Sequence, residues 1–212
     1  KARSYWPQLG LIMLVTLIVT CLYMFVRQSA AAIKTDNVQL LLLLLIITLN
    51  LIGLKIVSLG QDMGYPSIAY LAPVAAGSIL IAILLEAGLA FVSSVLFSIA
   101  ASVLFNQNYP ESLFDFHYGL VALTVCLVSV FAIYKASQRS SILKAGMMVS
   151  LFAVFSLIAL QLIGGEFVIR EILLALSFAF ASGILTAVLV IGLLPFFEIV
   201  FGILSPLKLV EL

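Results

Sequence analysis

Few residues in this chain could do chemistry, and most of them stand alone. His117 is the only histidine, with Asp115 two residues before it. One histidine cannot supply a cluster of imidazole metal ligands, nor the adjacent His-Asp pairs that hold metals for phosphoester hydrolysis. His117 falls at the mouth of an apolar run, where a solvated loop histidine and a pH sensor are the two readings. Cys21 and Cys126 lie inside apolar runs, where a thiol packs as a small hydrophobic group. A Gly-rich phosphate loop followed by Lys and Ser/Thr is absent. No catalytic residue, metal ligand or cofactor is therefore assigned.

What remains is a set of polar residues in apolar surroundings: Asn50, Lys55, Glu86, Gln161 and, just past Pro195, Glu198. Hydrocarbon offers such groups no partner, so each is a candidate site. Lys55 can extend its stem toward an interface, and Glu86 and Glu198 fall near a boundary where water can solvate them. Asn50 is deeper, and suits either an interhelical hydrogen bond or an ion pathway.

The elements that must position these residues follow from composition. With 65% hydrophobic and 9% charged residues, the chain has more apolar surface than one water-soluble core can hide. The 10 Lys and Arg are scattered between apolar runs, which excludes the continuous basic stripe of a nucleic-acid binder. Apolar runs recur along the whole length, unlike the single run of a signal peptide. Stretches long enough to cross roughly 30 Å of hydrocarbon are Leu9–Val26, Val38–Leu59, Ile68–Leu85, Ala87–Phe105, Tyr118–Tyr134, Ile142–Ile163 and Ile172–Leu194. Glu86-Ala87-Gly88 marks a tight turn between the third and fourth. Leu40–Leu45 and Ala181–Leu194 lack the alternation of a β-barrel strand. The expected fold is all-α, a single polytopic bundle of seven transmembrane helices over residues 1–212 with the lipid bilayer as solvent.

Loop charge sets the expected orientation. One side carries Arg27, Lys34, Lys135, Arg139, Lys144 and Lys208; the other carries Lys1, Arg3, Lys55 and Arg170, together with Asp62, Glu111, Asp115, Glu166 and Glu171. The first side is read as cytoplasmic, placing the N-terminus outside and the C-terminus inside. The outer loops Gly60–Ser67, Asn106–His117 and Gly164–Glu171 are too short for a soluble domain. With no initiating Met and no polar tail, the chain reads as a segment of something longer, with further domains before Lys1 or after Leu212.

Two small-residue stripes at helical spacing mark close helix approach: Ala175, Ala179, Gly183 and Ala187 in the seventh span, and Ser94, Ser98 and Ser102 in the fourth, which offers a matching face. After Pro195 the chain continues with Phe197, Glu198, Val200, Phe201, Gly202 and Leu204 at helical spacing. This stretch is either a short interfacial helix leading out of the membrane or a plain continuation of the last span. The coupling candidates are Pro195, Glu198, Phe201 and Gly202.

Three passages, Ser4-Tyr5-Trp6-Pro7, Leu71 to Glu86 and Leu193 to Leu212, carry a resemblance to the membrane region of the seven-transmembrane HD phosphohydrolase family, bacterial receptors that include cyclic di-AMP phosphodiesterases. The resemblance covers essentially the whole chain. It implies an N-terminal anchor helix and a large extracellular domain before this segment, a multi-pass location in the bacterial inner membrane, and a cytoplasmic HD phosphodiesterase after it whose paired metal ions lie outside this chain. No HD motif is present here, so no catalytic residue carries over. The expected role is a signal-transducing module controlling that hydrolase, with its own extracellular and HD domains as partners, and with a small-molecule ligand and a homodimer left open. A transporter or channel would want broken spans at matched places in two halves, which Pro73 and Pro195 do not provide. A passive membrane anchor and dimerisation module is the third reading.

Overall fold

A computed structural model describes residues 6–28, 37–61, 66–106, 114–134, 140–164 and 169–202. The helices are α1 (Trp6–Gln28), α2 (Asn37–Gln61), α3 (Ala75–Leu84), α4 (Ala87–Leu104), α5 (Phe116–Ile133), α6 (Ser140–Gly164) and α7 (Ile169–Phe201), with a 3₁₀ segment at Pro66–Leu71 before α3. Among the described residues, seven helical stretches are long and apolar enough to cross a membrane, the 3₁₀ segment and α3 together making the third. Successive spans alternate in direction, so one end of the bundle carries Gln61, Phe105 and Phe116, and the other carries Glu86, Tyr134 and Phe201. Of the residues used to orient the chain, Lys1, Arg3, Lys34, Asp62, Glu111, Lys135, Arg139, Glu166 and Lys208 lie outside the described residues.

α3 is the hub. Its sequence AAGSILIAIL is apolar all round, the pattern of a helix enclosed by others, and nearly every residue from Ala75 to Leu84 is buried. α2, α4, α5 and α7 pack around it, α6 closes the far side against α5 and α7, and α1 leans on α4. The outer faces are dressed for lipid, with Ile163, Met147 and Ile199 among the most exposed side chains. Hydroxyls on exposed parts of the helices close on themselves: Thr16, Thr20, Thr48 and Ser177 each donate to the carbonyl four residues back at 2.7–2.8 Å, which removes an unpaired donor from hydrocarbon.

The third span is not the single helix expected over Ile68–Leu85. Pro73 has no N–H, and its ring opposes the helical position of the carbonyl four residues earlier, while the residue before a proline is pushed out of helical geometry. The chain answers with a 3₁₀ turn to Leu71, a break across Ala72–Val74, and then α3. α3 alone has 10 residues, about 15 Å, half of what a crossing needs.

Pro195 behaves differently, for α7 continues straight through it to Phe201. The stretch after Pro195 is therefore helical as far as Phe201 without a break in the last span. The helix stops at Gly202, whose φ of +64° is the left-handed conformation that glycine adopts at a helix C-terminus without a Cβ penalty. Ser205, Leu204 and the rest of 203–212 lie outside the described residues. At 33 residues, α7 is about 50 Å long and exceeds the hydrocarbon layer.

The seventh-span stripe is also corrected in its partner. Ala175, Ala179, Gly183 and Ala187 are buried, but α6 lies against them and α4 does not. A Cβ on Gly183 would collide with the Gly146 carbonyl and Ser150, and one on Gly146 would lie 2.6 Å from the Ala187 Cβ. Ser150 donates across to the Phe180 carbonyl at 2.7 Å. The serines of α4 face elsewhere: Ser94 shares a hydrogen bond with Ser78 of α3 at 2.8 Å, and Ser98 donates to the Gly119 carbonyl of α5 at 2.8 Å. Ser102 sits where a Cβ on Gly119 would be. Gly183→Leu should thus cost about 1–3 kcal/mol or more by overpacking against backbone, seen as a lower melting temperature in detergent. Gly192→Ala, whose Cβ enters open space, should leave melting unchanged or slightly raised; equal effects from both would contradict the close α6–α7 contact.

Candidate coupling site

Of the four amide side chains of α2, Asn50 and Gln61 stand roughly three turns apart and within about 20° of the same helix face. Both reach the irregular third span. Asn50 Nδ2 donates to the Val74 carbonyl at 3.1 Å, at the end of the break. Gln61 Nε2 lies 3.4 Å from the Pro66 carbonyl, at the start of the 3₁₀ segment. The two amides therefore bracket the 3₁₀ segment and the break, whose own N–H groups close locally, Ala72 on the Ala69 carbonyl at 3.2 Å and Val74 on the Ala72 carbonyl at 2.9 Å; at membrane depth such backbone is tolerated only when protein satisfies it.

Gln61 does more than bracket. It is only 4% exposed, and its shortest bond, 3.2 Å, goes to the Phe105 carbonyl beyond the last turn of α4, where carbonyls lack intrahelical donors. A longer contact, 3.4 Å, reaches the Tyr118 hydroxyl, which in turn donates to the Pro66 carbonyl at 3.4 Å. Bonds this long are weak, so the Phe105 contact dominates. Ring packing reinforces it: Tyr118 lies 4.8 Å from Tyr70 and 5.8 Å from Phe105 between centroids. α2, the 3₁₀ segment, α4 and α5 are thereby joined at one end of the bundle.

Asp115 fixes the start of α5. Its carboxylate accepts from the His117 backbone N–H at 2.9 Å, an N-cap, and its own N–H donates to the Ser102 carbonyl at 3.0 Å. His117 is exposed, with Nδ1 3.3 Å from the same carboxylate. Behind this layer a void of about 20 Å³ lies among Tyr70, Tyr118, Ala72 and Ser182, room for a single water. No group of three His, Cys, Asp or Glu side chains that could hold a metal occurs among the described residues.

The other sequence candidates are dispersed. Glu86 is exposed at the N-terminus of α4, and Gln161 is partly exposed in the last turn of α6. Lys55 is exposed on α2 and lines a cleft. Glu198 is 5% exposed, which corrects the expectation of a water-solvated interfacial residue: the unbroken α7 turns it inward beside Phe197. Pro195 and Phe201 are half-buried, and Gly202 is exposed. Sequence reasoning assigned Gln61 to a loop and missed it. Its signal was a single amide closing an apolar helix, five residues before a proline.

The sequence matches the family model described as "7TM receptor with intracellular HD hydrolase" over residues 5–205. The chain belongs to this family. It is 35% identical over its whole length to the cyclic-di-AMP phosphodiesterase PgpH of Bacillus subtilis (strain 168), and 29% identical over 96% of its length to the protein of that name from Listeria monocytogenes serotype 1/2a (strain 10403S). It spans 30% and 28% of the length of these relatives, so the match is to a seven-transmembrane portion of larger proteins. No solved structure matches the chain.

Replacing Gln61 by Leu should remove about 1 kcal/mol, the scale of interhelical hydrogen bonds in membranes, and leave the fold intact. Backbone hydrogen exchange across residues 66–71 should then rise about fivefold. Gln161→Leu should not change it; protection of 66–71 that is indifferent to Gln61→Leu would remove Gln61 from this role.

Proposed function

We propose that this chain is the membrane signalling module of a cyclic-di-AMP phosphodiesterase in the bacterial cell membrane. It relays the state of its Gln61 end, facing outward, to an HD hydrolase domain on the inward Glu86 end. The observation that carries this reading is α7. One uninterrupted helix runs from Ile169 at the Gln61 end to Phe201 beyond the other, and it packs on the 3₁₀ segment and α3 on its way. A displacement of the segment bracketed by Asn50 and Gln61 would be passed to α7, which packs on it, because a close-packed interior transmits strain instead of damping it. Hydrolysis itself, and the metal ions it uses, belong to the domain that would follow.

A broken span is also a transporter feature, but transporters of that design pair two discontinuous helices at matched places. Among the described residues the second proline-bearing span, α7, is continuous, so the receptor reading is preferred.

Inserting alanine after Val200 tests it, since each residue turns the helix exit by roughly 100° and four return it to within about 40°. In the full-length protein, one insertion should change cyclic di-AMP hydrolysis in membranes several-fold, and four should largely restore it. Activity indifferent to every insertion would make the chain a passive anchor.

A further inference from the structure

α1 and α2 both pack on α4 and scarcely on one another. The space left between them is a cleft of about 360 Å³ over the α4 surface, walled by Leu11 and Val15 of α1 and by Leu51 of α2, with Leu96 and Ala100 of α4 as its floor. Every lining residue is apolar except one, Lys55. Six residues separate Lys55 from Gln61 at the end of α2, about 9 Å of helix, so the ammonium group starts below the membrane surface. Lysine stems at such depths extend toward the interface. Among the described residues no acidic side chain lines the cleft and no ion pair to Lys55 occurs. A cation at this depth is stabilised by a counter-charge, and the described walls are apolar.

We propose that this cleft is a binding site for an anionic phospholipid of the leaflet at the Gln61 end, with an acyl chain lying on Ala100 between α1 and α2 and the phosphate paired with Lys55. The geometry matches an amphiphile in both parts. The cleft is open to the side, where lipid is the surrounding solvent, and its one charge stands where a snorkelling side chain meets the phosphate layer. A packed helix from another protein would bury Lys55 without neutralising it. A zwitterionic lipid would bring its own cation to the same place, which sets the expected selectivity. The occupant would wedge α1 against α4 and so hold the peripheral span to the bundle.

The test is retention of lipid by the full chain, measured by native mass spectrometry during titration with phosphatidylglycerol or phosphatidylcholine of identical acyl chains. Phosphatidylglycerol should be retained several-fold better. Lys55→Met should weaken it about fivefold, the effect of one cation near an anionic surface, and erase the preference. Ala100→Phe, which fills the floor, should reduce retention of both lipids. Melting temperatures show whether the variants are folded, and Lys55→Met, at an exposed position, should melt as the parent does. Equal retention of the two lipids, a preference that survives Lys55→Met, or no effect of Ala100→Phe would each overturn the assignment. Displacement of phosphatidylglycerol by equimolar oleate would make the occupant a fatty acid and overturn the phospholipid.

Discussion

A stretch of non-helical backbone inside hydrocarbon has no water to satisfy its N–H and C=O groups, so its position is dictated by whichever protein groups can reach it. In this chain the non-helical stretch is Ala72–Val74, whose N–H groups close on nearby carbonyls, Ala72 on Ala69 and Val74 on Ala72; Asn50 adds a donor to the Val74 carbonyl at its end, and Gln61 and Tyr118 reach the Pro66 carbonyl at the start of the 3₁₀ segment before it. The bracket ties this irregular span to α2. α3 begins in mid-bundle directly behind the break, and α2, α4, α5 and α7 pack around it.

Two kinds of contact hold the helices together. Interhelical hydrogen bonds in membranes contribute about 0.6 kcal/mol on average, and close small-residue packing supplies much of the remainder. The α6–α7 contact through Gly146, Ser150, Gly183 and Ala187 is a fixed backbone-to-backbone seam. The bracket on the third span is held by a few bonds of 3.1–3.4 Å. The third span is thus tied to α2 by side-chain bonds, whereas α6 and α7 meet backbone to backbone.

Much of this was legible in the sequence, because span length and the absence of alternation need only the bilayer thickness and the helical rise. The small-residue stripe in α7 was legible as a close-contact face but not its partner, since spacing says which face is small and nothing about which helix meets it. Pro73 and Pro195 look alike in a sequence. They differ through surroundings: Asn50 supplies a donor beside the first, whereas the second sits in a helix packed along its length. Gln61 is easily read as loop because it is an amide at the end of an apolar run, and only the return of Phe105 and Tyr118 to the same point shows that it is enclosed. Glu198 was misjudged for the related reason that an unbroken helix sets its facing.

In the proposed relay, release of the bracketed segment at one end moves α7 at the other. Spin labels on Phe131 and Ile199, both exposed near the Glu86 end, give the distance between α5 and the exit of α7 in the full-length protein in nanodiscs. Gln61→Leu should shift or broaden that distance distribution while Gln161→Leu leaves it unchanged. Identical distributions in the parent and the Gln61 variant would contradict it.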